Sequence, residues 1–261
     1  MMKFLIPLAL LAPAVSMADS PFAGTWVVKP ELTTFQERPL ELMIERGAYR
    51  RSDCAAPLEL PANGSDQPVK GQPLFDQMLV RLVDRRRVEV VQRMAGKITW
   101  KGVYTVSKDQ RSMMLEFDDE RASKAVTGVM QYARQGNPLS GAHALSGSWQ
   151  PERVTQLSAS ALTMTILEKD RGFAVAWSDG RSAESPLDAK YYPLNGYLPG
   201  AQISILHPRP DTLAMNREQG VVPVEVARAI VSEDGRTILY KQVDWICHDG
   251  TTYIYEKQEG T

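Results

Sequence analysis

The chain has 261 residues, with 30 Lys and Arg against 31 Asp and Glu, and a formal net charge of −1 at pH 7. This balance excludes a general electrostatic attraction to nucleic acid or to anionic membranes, so we expect neither as a partner. The length is sufficient for more than one packed domain.

Residues 1–18 have the pattern of a secretory signal peptide. Lys3 supplies a positive charge, an apolar run extends from Phe4 to Leu11, and Ala18 offers a small residue before a cleavage site at Asp19. The apolar run is shorter than the ~20 residues that a transmembrane helix needs, so we expect no membrane span. The mature protein is therefore predicted to be periplasmic or secreted.

Strand signals follow in chain order from Gly24. Eight short segments of alternating polar and apolar residues, separated by Gly, Pro, Asn and Asp, lie between residues 24 and 134. The run Arg85-Arg86-Arg87 falls between two of them and is interpreted as a solvated hairpin tip, with an anion-binding patch as the alternative. The last segment, 123–134, also has helical spacing of Val126 and Met130, but we predict a strand.

A tract rich in Gly, Asn, Pro and Ser at residues 136–141 is typical of a linker. Eight further strand-like segments lie beyond it, between residues 147 and 257. The predicted organisation is a domain at 19–135, a linker at 136–141 and a second domain at 142–261.

The two halves repeat each other. The hexapeptide that begins at Val106 returns at Val231, an offset of 125 residues, and Gly24-Thr25-Trp26 returns as Gly147-Ser148-Trp149 at an offset of 123. The segment from Leu40 matches the segment from Leu162, an offset of 122. A period this long indicates two complete domains rather than a solenoid. We therefore predict an all-β protein of two tandem eight-stranded antiparallel barrels, because closing each sheet removes its exposed edges.

A Gly-x-Trp at the first strand of an eight-stranded barrel resembles the lipocalin and wider calycin group, and the chain resembles secreted bacterial proteins with two tandem lipocalin-like domains. In lipocalins the tryptophan closes one end of the barrel and a basic residue from the last strand stacks on it. The resemblance implies structural plugs made by Trp26 with Arg134 and by Trp149 with Lys257.

Catalytic and metal-binding patterns are scarce. The three histidines, His143, His207 and His248, lack the spacing that places ligands on one metal ion, and no nucleophile, phosphate-binding or dinucleotide-binding motif occurs. We therefore predict no catalytic residues, no metal site and no cofactor.

The two cysteines, Cys54 and Cys247, lie one in each half at positions that do not correspond in the repeat. Export permits a disulfide between them, whereas buried free thiols are the alternative. The sequence does not decide between the two.

Aromatic residues and Met are the material for a binding site. Candidates for a barrel lumen or its rim are Trp100, Tyr104, Trp177, Tyr191, Tyr192, Tyr197, Met215, Tyr240 and Trp245. On the sixth strand of each half, Trp100 and Tyr104 correspond to Glu225 and Ala229, which predicts that the second barrel is the hollow one.

The function expected from these features is that of an exported binding protein for small apolar or amphipathic ligands in the cell envelope. The alternative is a non-enzymatic interaction or structural module whose barrels are filled by side chains and which contacts another envelope protein. The oligomeric state is left open.

Overall fold

A computed structural model describes residues 20–36, 38–54 and 57–259, so the predicted signal peptide lies outside the described residues. The described chain is all-β apart from short 3-10 turns at Pro30–Leu32 and Ala159–Ala161. Within this part of the chain, no helix has the length and apolarity needed to cross a bilayer. The prediction of an all-β protein is confirmed.

The strands before the linker are β1 (Gly24–Val28), β2 (Thr34–Gln36), β3 (Leu40–Glu45), β4 (Ala48–Arg51), β5 (Leu58–Pro61), β6 (Asn63–Pro68), β7 (Gln77–Asp84), β8 (Arg87–Met94), β9 (Lys97–Val106), β10 (Ser112–Asp119) and β11 (Val126–Gln135). Those after it are β12 (Gly147–Leu157), β13 (Thr163–Lys169), β14 (Gly172–Trp177), β15 (Ser182–Pro186), β16 (Tyr192–Pro193), β17 (Ala201–Arg209), β18 (Thr212–Gln219), β19 (Val222–Val231), β20 (Thr237–Asp244) and β21 (Gly250–Lys257).

The strands form two antiparallel sheets, each of which curls into a nearly closed barrel. The first has the order β5-β4-β3-β12-β11-β10-β9-β8-β7-β6, and the second has the order β15-β14-β13-β1-β21-β20-β19-β18-β17-β16, with β2 also paired to β21. Ten strands lie on each path, where the sequence predicted eight. The extra strands are short segments at the edges of the sheets, and they have too few residues to show a clear alternation of polar and apolar side chains.

The first strand of each half lies in the barrel of the other half. Strand β1 pairs with β13 and β21, so Trp26 lies opposite Met164 and Lys257. Strand β12 pairs with β3 and β11, so Trp149 lies opposite Leu40 and Arg134. The sheets therefore do not follow the boundary that the sequence places at residues 136–141, because the chain crosses between barrels after β2 and again after β12.

Paired strands also correct the alignment of the repeat. The hairpin β3–β4 closes at Glu45 opposite Ala48, and the hairpin β13–β14 closes at Lys169 opposite Gly172. These matching hairpins are 124 residues apart, whereas the sequence match from Leu40 to Leu162 is 122. Two apolar positions on one face of a strand look alike in sequence, so a slip of two residues preserves the pattern.

Each barrel has its own apolar core, and a large aromatic ring lies beside Ala229 in the second. In the first barrel Tyr104 lies opposite Leu115, and in the second Ala229 lies opposite Tyr240. All four side chains are buried. One large ring is present at this pair in both barrels, but it lies on the neighbouring strand in the second barrel, where alanine takes the place of leucine as its partner. The hollow second barrel stays a prediction.

Two local predictions agree with the structure. Residues 126–135 form strand β11 rather than a helix, and Arg85 and Arg86 form the exposed tip between β7 and β8, as predicted. The hexapeptides that start at Val106 and Val231 are hairpin turns.

In the turn after β9, the Ser107 hydroxyl donates to Asp109 at 2.6 Å and accepts from the Ser112 amide at 3.1 Å. Ser232 makes the same bonds with Asp234 and Thr237, at 2.6 and 3.0 Å. The hydrogen bond from serine is the main reason why the pKa of each aspartate is lowered. The repeated motif is therefore explained by turn geometry.

Candidate functional site

One end of each barrel is closed by a tryptophan. The Trp26 indole N–H donates to the Phe22 carbonyl at 2.8 Å, and the Trp149 indole N–H donates to the Leu145 carbonyl at 2.8 Å. Both rings are fully buried. Because each polar atom is paired and each ring is enclosed, the tryptophans are structural, and these ends of the barrels are closed to ligands.

The basic residues lie over these rings, with their partners exchanged relative to the sequence expectation. Arg134 lies 4.0 Å from the centre of the Trp149 ring, and the Lys257 ammonium lies 5.2 Å from that of Trp26. Gly24 and Gly147 have positive φ angles, and a Cβ at either would clash with the basic side chain. The glycine of Gly-x-Trp is thus needed because only a residue without a side chain lets the basic side chain pass over the strand and reach the tryptophan ring.

The opposite ends of the two barrels face each other. The loop between β10 and β11 reaches the second barrel, where the Ser123 amide donates to the Gly196 carbonyl at 2.9 Å and the Lys124 amide to the Asp179 carbonyl at 2.8 Å. The loop between β20 and β21 reaches the first barrel, where Ile246 packs against the apolar core. This reciprocal contact encloses space between the open ends.

The main cavity is this enclosed space, with a volume of about 490 Å³. Strands of both barrels line it. Its aromatic lining residues are Phe35, Trp100, Phe117, Tyr132, Trp177, Tyr197, Tyr240, Tyr253 and Tyr255. Its charged lining residues are Asp119, Arg121, Asp179, Arg181, Arg217, Glu225, Asp244 and Asp249.

The arginines of the main cavity are already paired with carboxylates. Arg121 donates through Nε to Asp119 at 2.8 Å, and Arg181 donates through Nε to Asp179 at 2.6 Å. Arg217 donates to Glu225 at 2.7 Å. The two residues of each pair lie two to eight positions apart along the chain, either in one turn or on neighbouring strands.

Two of these arginines also stack on aromatic rings. Arg181 lies 5.0 Å from the centre of the Trp177 ring, and Arg217 lies 4.9 Å from that of Tyr197. Nearby charges and aromatic faces stabilise the guanidinium groups where burial would otherwise penalise them. The result is a rigid wall of alternating rings and ion pairs.

A smaller cavity of about 250 Å³ occupies the mouth of the first barrel. Tyr49 and Tyr104 line it, and burial raises the pKa of both hydroxyls. Five residues line both cavities, so the two spaces adjoin; they are Trp100, Arg121, Tyr132, Asp244 and Asp249.

A disulfide joins Cys54 to Cys247 at the edge of the smaller cavity. It links the segment after β4 in the first barrel to the loop between β20 and β21 of the second. Beside it, Arg51 donates to Asp53 at 2.8 Å. The bond decides the question that the sequence left open, because only folding brings two residues 193 positions apart into contact.

Asp249 is a carboxylate of the main cavity whose pKa is raised. Its pKa is raised to about 6, chiefly because the carboxylate is buried. The negative charges of Asp53 and Asp244 also raise this pKa, and the positive charges of Arg51 and Arg38 lower it. Its Oδ1 atom is buried and has no hydrogen-bond partner among the described residues. Such an atom is an open acceptor at the junction of the two cavities.

The predicted binding residues divide into three groups. The structure brings Trp100, Trp177, Tyr197 and Tyr240 together around the main cavity, and Tyr104 lines the smaller one. Met215 is buried in the second core. Tyr191, Tyr192 and Trp245 line neither cavity, and the Tyr192 hydroxyl instead donates to Asp188 at 2.9 Å.

Sequence reasoning missed the charged half of the lining. Arg217 is a charged residue within β18, which is a usable signal, since a charge inside a buried strand must face a polar space. Arg121, Asp249 and Thr33 lie in loops, and nothing in their local sequence separates them from solvated residues.

Compared with protein-family models, with curated proteins and with solved structures, the chain shows no significant match.

Proposed function

We propose that this protein is an exported binding protein that holds one small amphipathic molecule, without covalent chemistry, in the main cavity between its barrels. The observation that carries the proposal is the cavity itself, whose volume of about 490 Å³ lies within the range of small-molecule sites. Aromatic rings from both barrels supply apolar surface, and a few polar atoms supply orientation.

Export rests on the signal-like residues 1–18 and agrees with the disulfide, because such bonds persist mainly in oxidising compartments such as the periplasm. The lipocalin-like interpretation of each barrel supports the same class of function. In this protein, however, the proposed site lies where two open ends meet rather than inside one lumen.

The test is uptake of a fluorescent amphiphile by the mature protein, with a variant that fills the cavity. Ala161 lines the cavity, and Ala159, on the same 3-10 turn, is exposed and does not. We expect Ala161→Trp to abolish saturable uptake and Ala159→Trp to leave it unchanged. Equal uptake by both variants, with both folded by circular dichroism, would show that the cavity is not the site.

Tryptophan fluorescence provides a second measurement. Trp177 lines the cavity, whereas Trp245 is 51% exposed and lies outside it. A ligand in the cavity should change the fluorescence emission of the Trp245→Phe variant as much as that of the unsubstituted protein. The change should be smaller in the Trp177→Phe variant, which lacks the tryptophan beside the ligand.

A second candidate is an interaction module, favoured by apolar side chains on the surface. Val221 is 89% exposed at the turn between β18 and β19, and Trp245 follows the adjacent end of β20. If no amphiphile binds, this candidate is preferred, and Trp245→Ser should weaken retention of a partner from an envelope extract.

A further inference from the structure

Three polar atoms in the main cavity have no hydrogen-bond partner among the residues that the structure describes. They are the Thr33 hydroxyl, the Arg217 Nε and the Asp249 Oδ1. Thr33 is only 7% exposed and Arg217 only 8% exposed. Leaving a buried polar atom unpaired costs about 1 to 3 kcal/mol, so these atoms favour a ligand that pairs with them.

The three atoms differ in what they require. Arg217 Nε only donates, the ionised Asp249 carboxylate only accepts, and the Thr33 hydroxyl does either. A carboxylate or phosphate group on a ligand would satisfy Arg217 but has no proton for Asp249. An ammonium group would satisfy Asp249 but has no acceptor for Arg217. Hydroxyl groups both donate and accept, so a ligand with several of them satisfies all three.

The charges of the cavity point in the same direction. Arg121, Arg181 and Arg217 each have a carboxylate partner, as described above. Asp244 and Asp249 remain without an arginine partner within ion-pair distance among the described residues. The surplus charge is therefore negative, which disfavours an anionic ligand, and the paired arginines leave no strong anion site.

The aromatic walls suit a ring with an apolar face. Trp100, Trp177 and Tyr253 lie around the same space as the three unpaired atoms. Flat aromatic rings offer large contact area with little loss of side-chain entropy, and they leave the edge of a bound ring accessible to hydrogen-bonding groups.

We propose that the ligand of the main cavity carries an uncharged, hydroxyl-rich head of the saccharide class, which pairs with Thr33, Arg217 and Asp249. This inference rests on the proposed function and defines the chemistry of that same site.

The experiment compares four ligands with one tail: octyl glucoside, octanol, octanoate and octylammonium. Each is titrated into the mature, disulfide-bonded protein by calorimetry, below its micelle-forming concentration and at a pH well above 6. We expect octyl glucoside to bind at least about tenfold more tightly than each of the others, the difference that one or two satisfied hydrogen bonds provide.

The outcomes separate this inference from the proposed function. If octanol, octanoate or octylammonium binds as tightly as octyl glucoside, the saccharide head is wrong and the amphiphile-binding function stands. If none of the four binds and the fluorescent amphiphile is also not taken up, both fail. If Ala161→Trp binds octyl glucoside as tightly as the unsubstituted protein, the glucoside binds outside the cavity. This result would also overturn the inference.

A matched pair of variants tests the contact itself. Thr33→Val removes the unpaired hydroxyl with little change of shape, and Thr155→Val removes a hydroxyl of an exposed residue that does not line the cavity. We expect Thr33→Val to weaken octyl glucoside binding by about five- to tenfold and octanol binding by less than twofold. Thr155→Val should change neither, and equal losses for both ligands in Thr33→Val would contradict the pairing.

Discussion

The two barrel plugs perform the same task with different basic residues. Arg134 donates to the carbonyls of Gln110, Ser146 and Ala144 while it stacks on Trp149. Lys257 lies farther from the ring of Trp26. A planar guanidinium can stack and donate along several directions at once, whereas an ammonium is a point charge. The plug of the first barrel is therefore a network, and that of the second is mainly a packed ring.

The largest expected effect is removal of either ring. Trp26→Ala and Trp149→Ala should each lower the free energy of unfolding by about 3 to 5 kcal/mol, the usual cost of emptying a large buried aromatic site. Urea unfolding measures this. Because β1 lies in the second sheet, hydrogen exchange in Trp26→Ala should accelerate in β13 and β21; acceleration confined to β3 would contradict the exchanged strands.

The next prediction addresses the difference between the plugs directly. Arg134→Ala should cost about 2 to 3 kcal/mol, since it removes the stacking and leaves three carbonyls without this donor. Lys257→Ala should cost no more than about 1 kcal/mol. Both are measured by urea unfolding of the oxidised protein. Equal losses would mean that the ring alone supports each plug.

A smaller effect is expected when the second plug is converted to the first type. Lys257→Arg should raise the free energy of unfolding by about 0.5 to 1 kcal/mol, because the chain before Trp26 offers carbonyls at the spacing used by Arg134. Arg134→Lys is the reciprocal variant and should be destabilising. Two changes of the same sign would show that arginine and lysine are not distinguished by these sites.

An effect of similar size concerns the open ends, where the two barrels differ again. Val126 begins β11 opposite Asp119, and Asp249 occupies the corresponding place opposite Asp244. Burial raises the pKa of Asp249 to about 6, above its value in an unfolded chain, so the stability present at low pH is lost as the pH rises through 6. Arg51, Arg38, Asp53 and Asp244 face the same carboxylate and set the size of this loss.

Asp249→Asn should remove this loss. Above pH 6 the variant should be more stable than the parent by about 1 kcal/mol, a value reduced from the full shift because the side chain is partly exposed to solvent. Below pH 4 the two should be equally stable. Thermal unfolding of both proteins from pH 4 to pH 7 measures the difference. If the parent becomes more stable than the variant as the pH rises, burial does not destabilise the ionised Asp249 carboxylate.

Local patterns in the sequence were enough to predict the strand class and the two buried tryptophans. Each depends on neighbouring residues: alternation along a strand, or a glycine that makes room beside a ring. Four of the aromatic residues around the main cavity were also predicted, because large rings on alternating strands must face an interior.

Only the tertiary structure decided which barrel each Gly-x-Trp strand enters, how the two open ends meet, and that Cys54 lies beside Cys247. Both halves carry a Gly-x-Trp strand and a basic residue at the end of a later strand, so the partner of each tryptophan depends on where the chain crosses between the barrels, after β2 and after β12. The cavity depends on the same tertiary geometry: Thr33, Arg217 and Asp249 are far apart along the chain and line one cavity because β2, β18 and β21 belong to the same sheet.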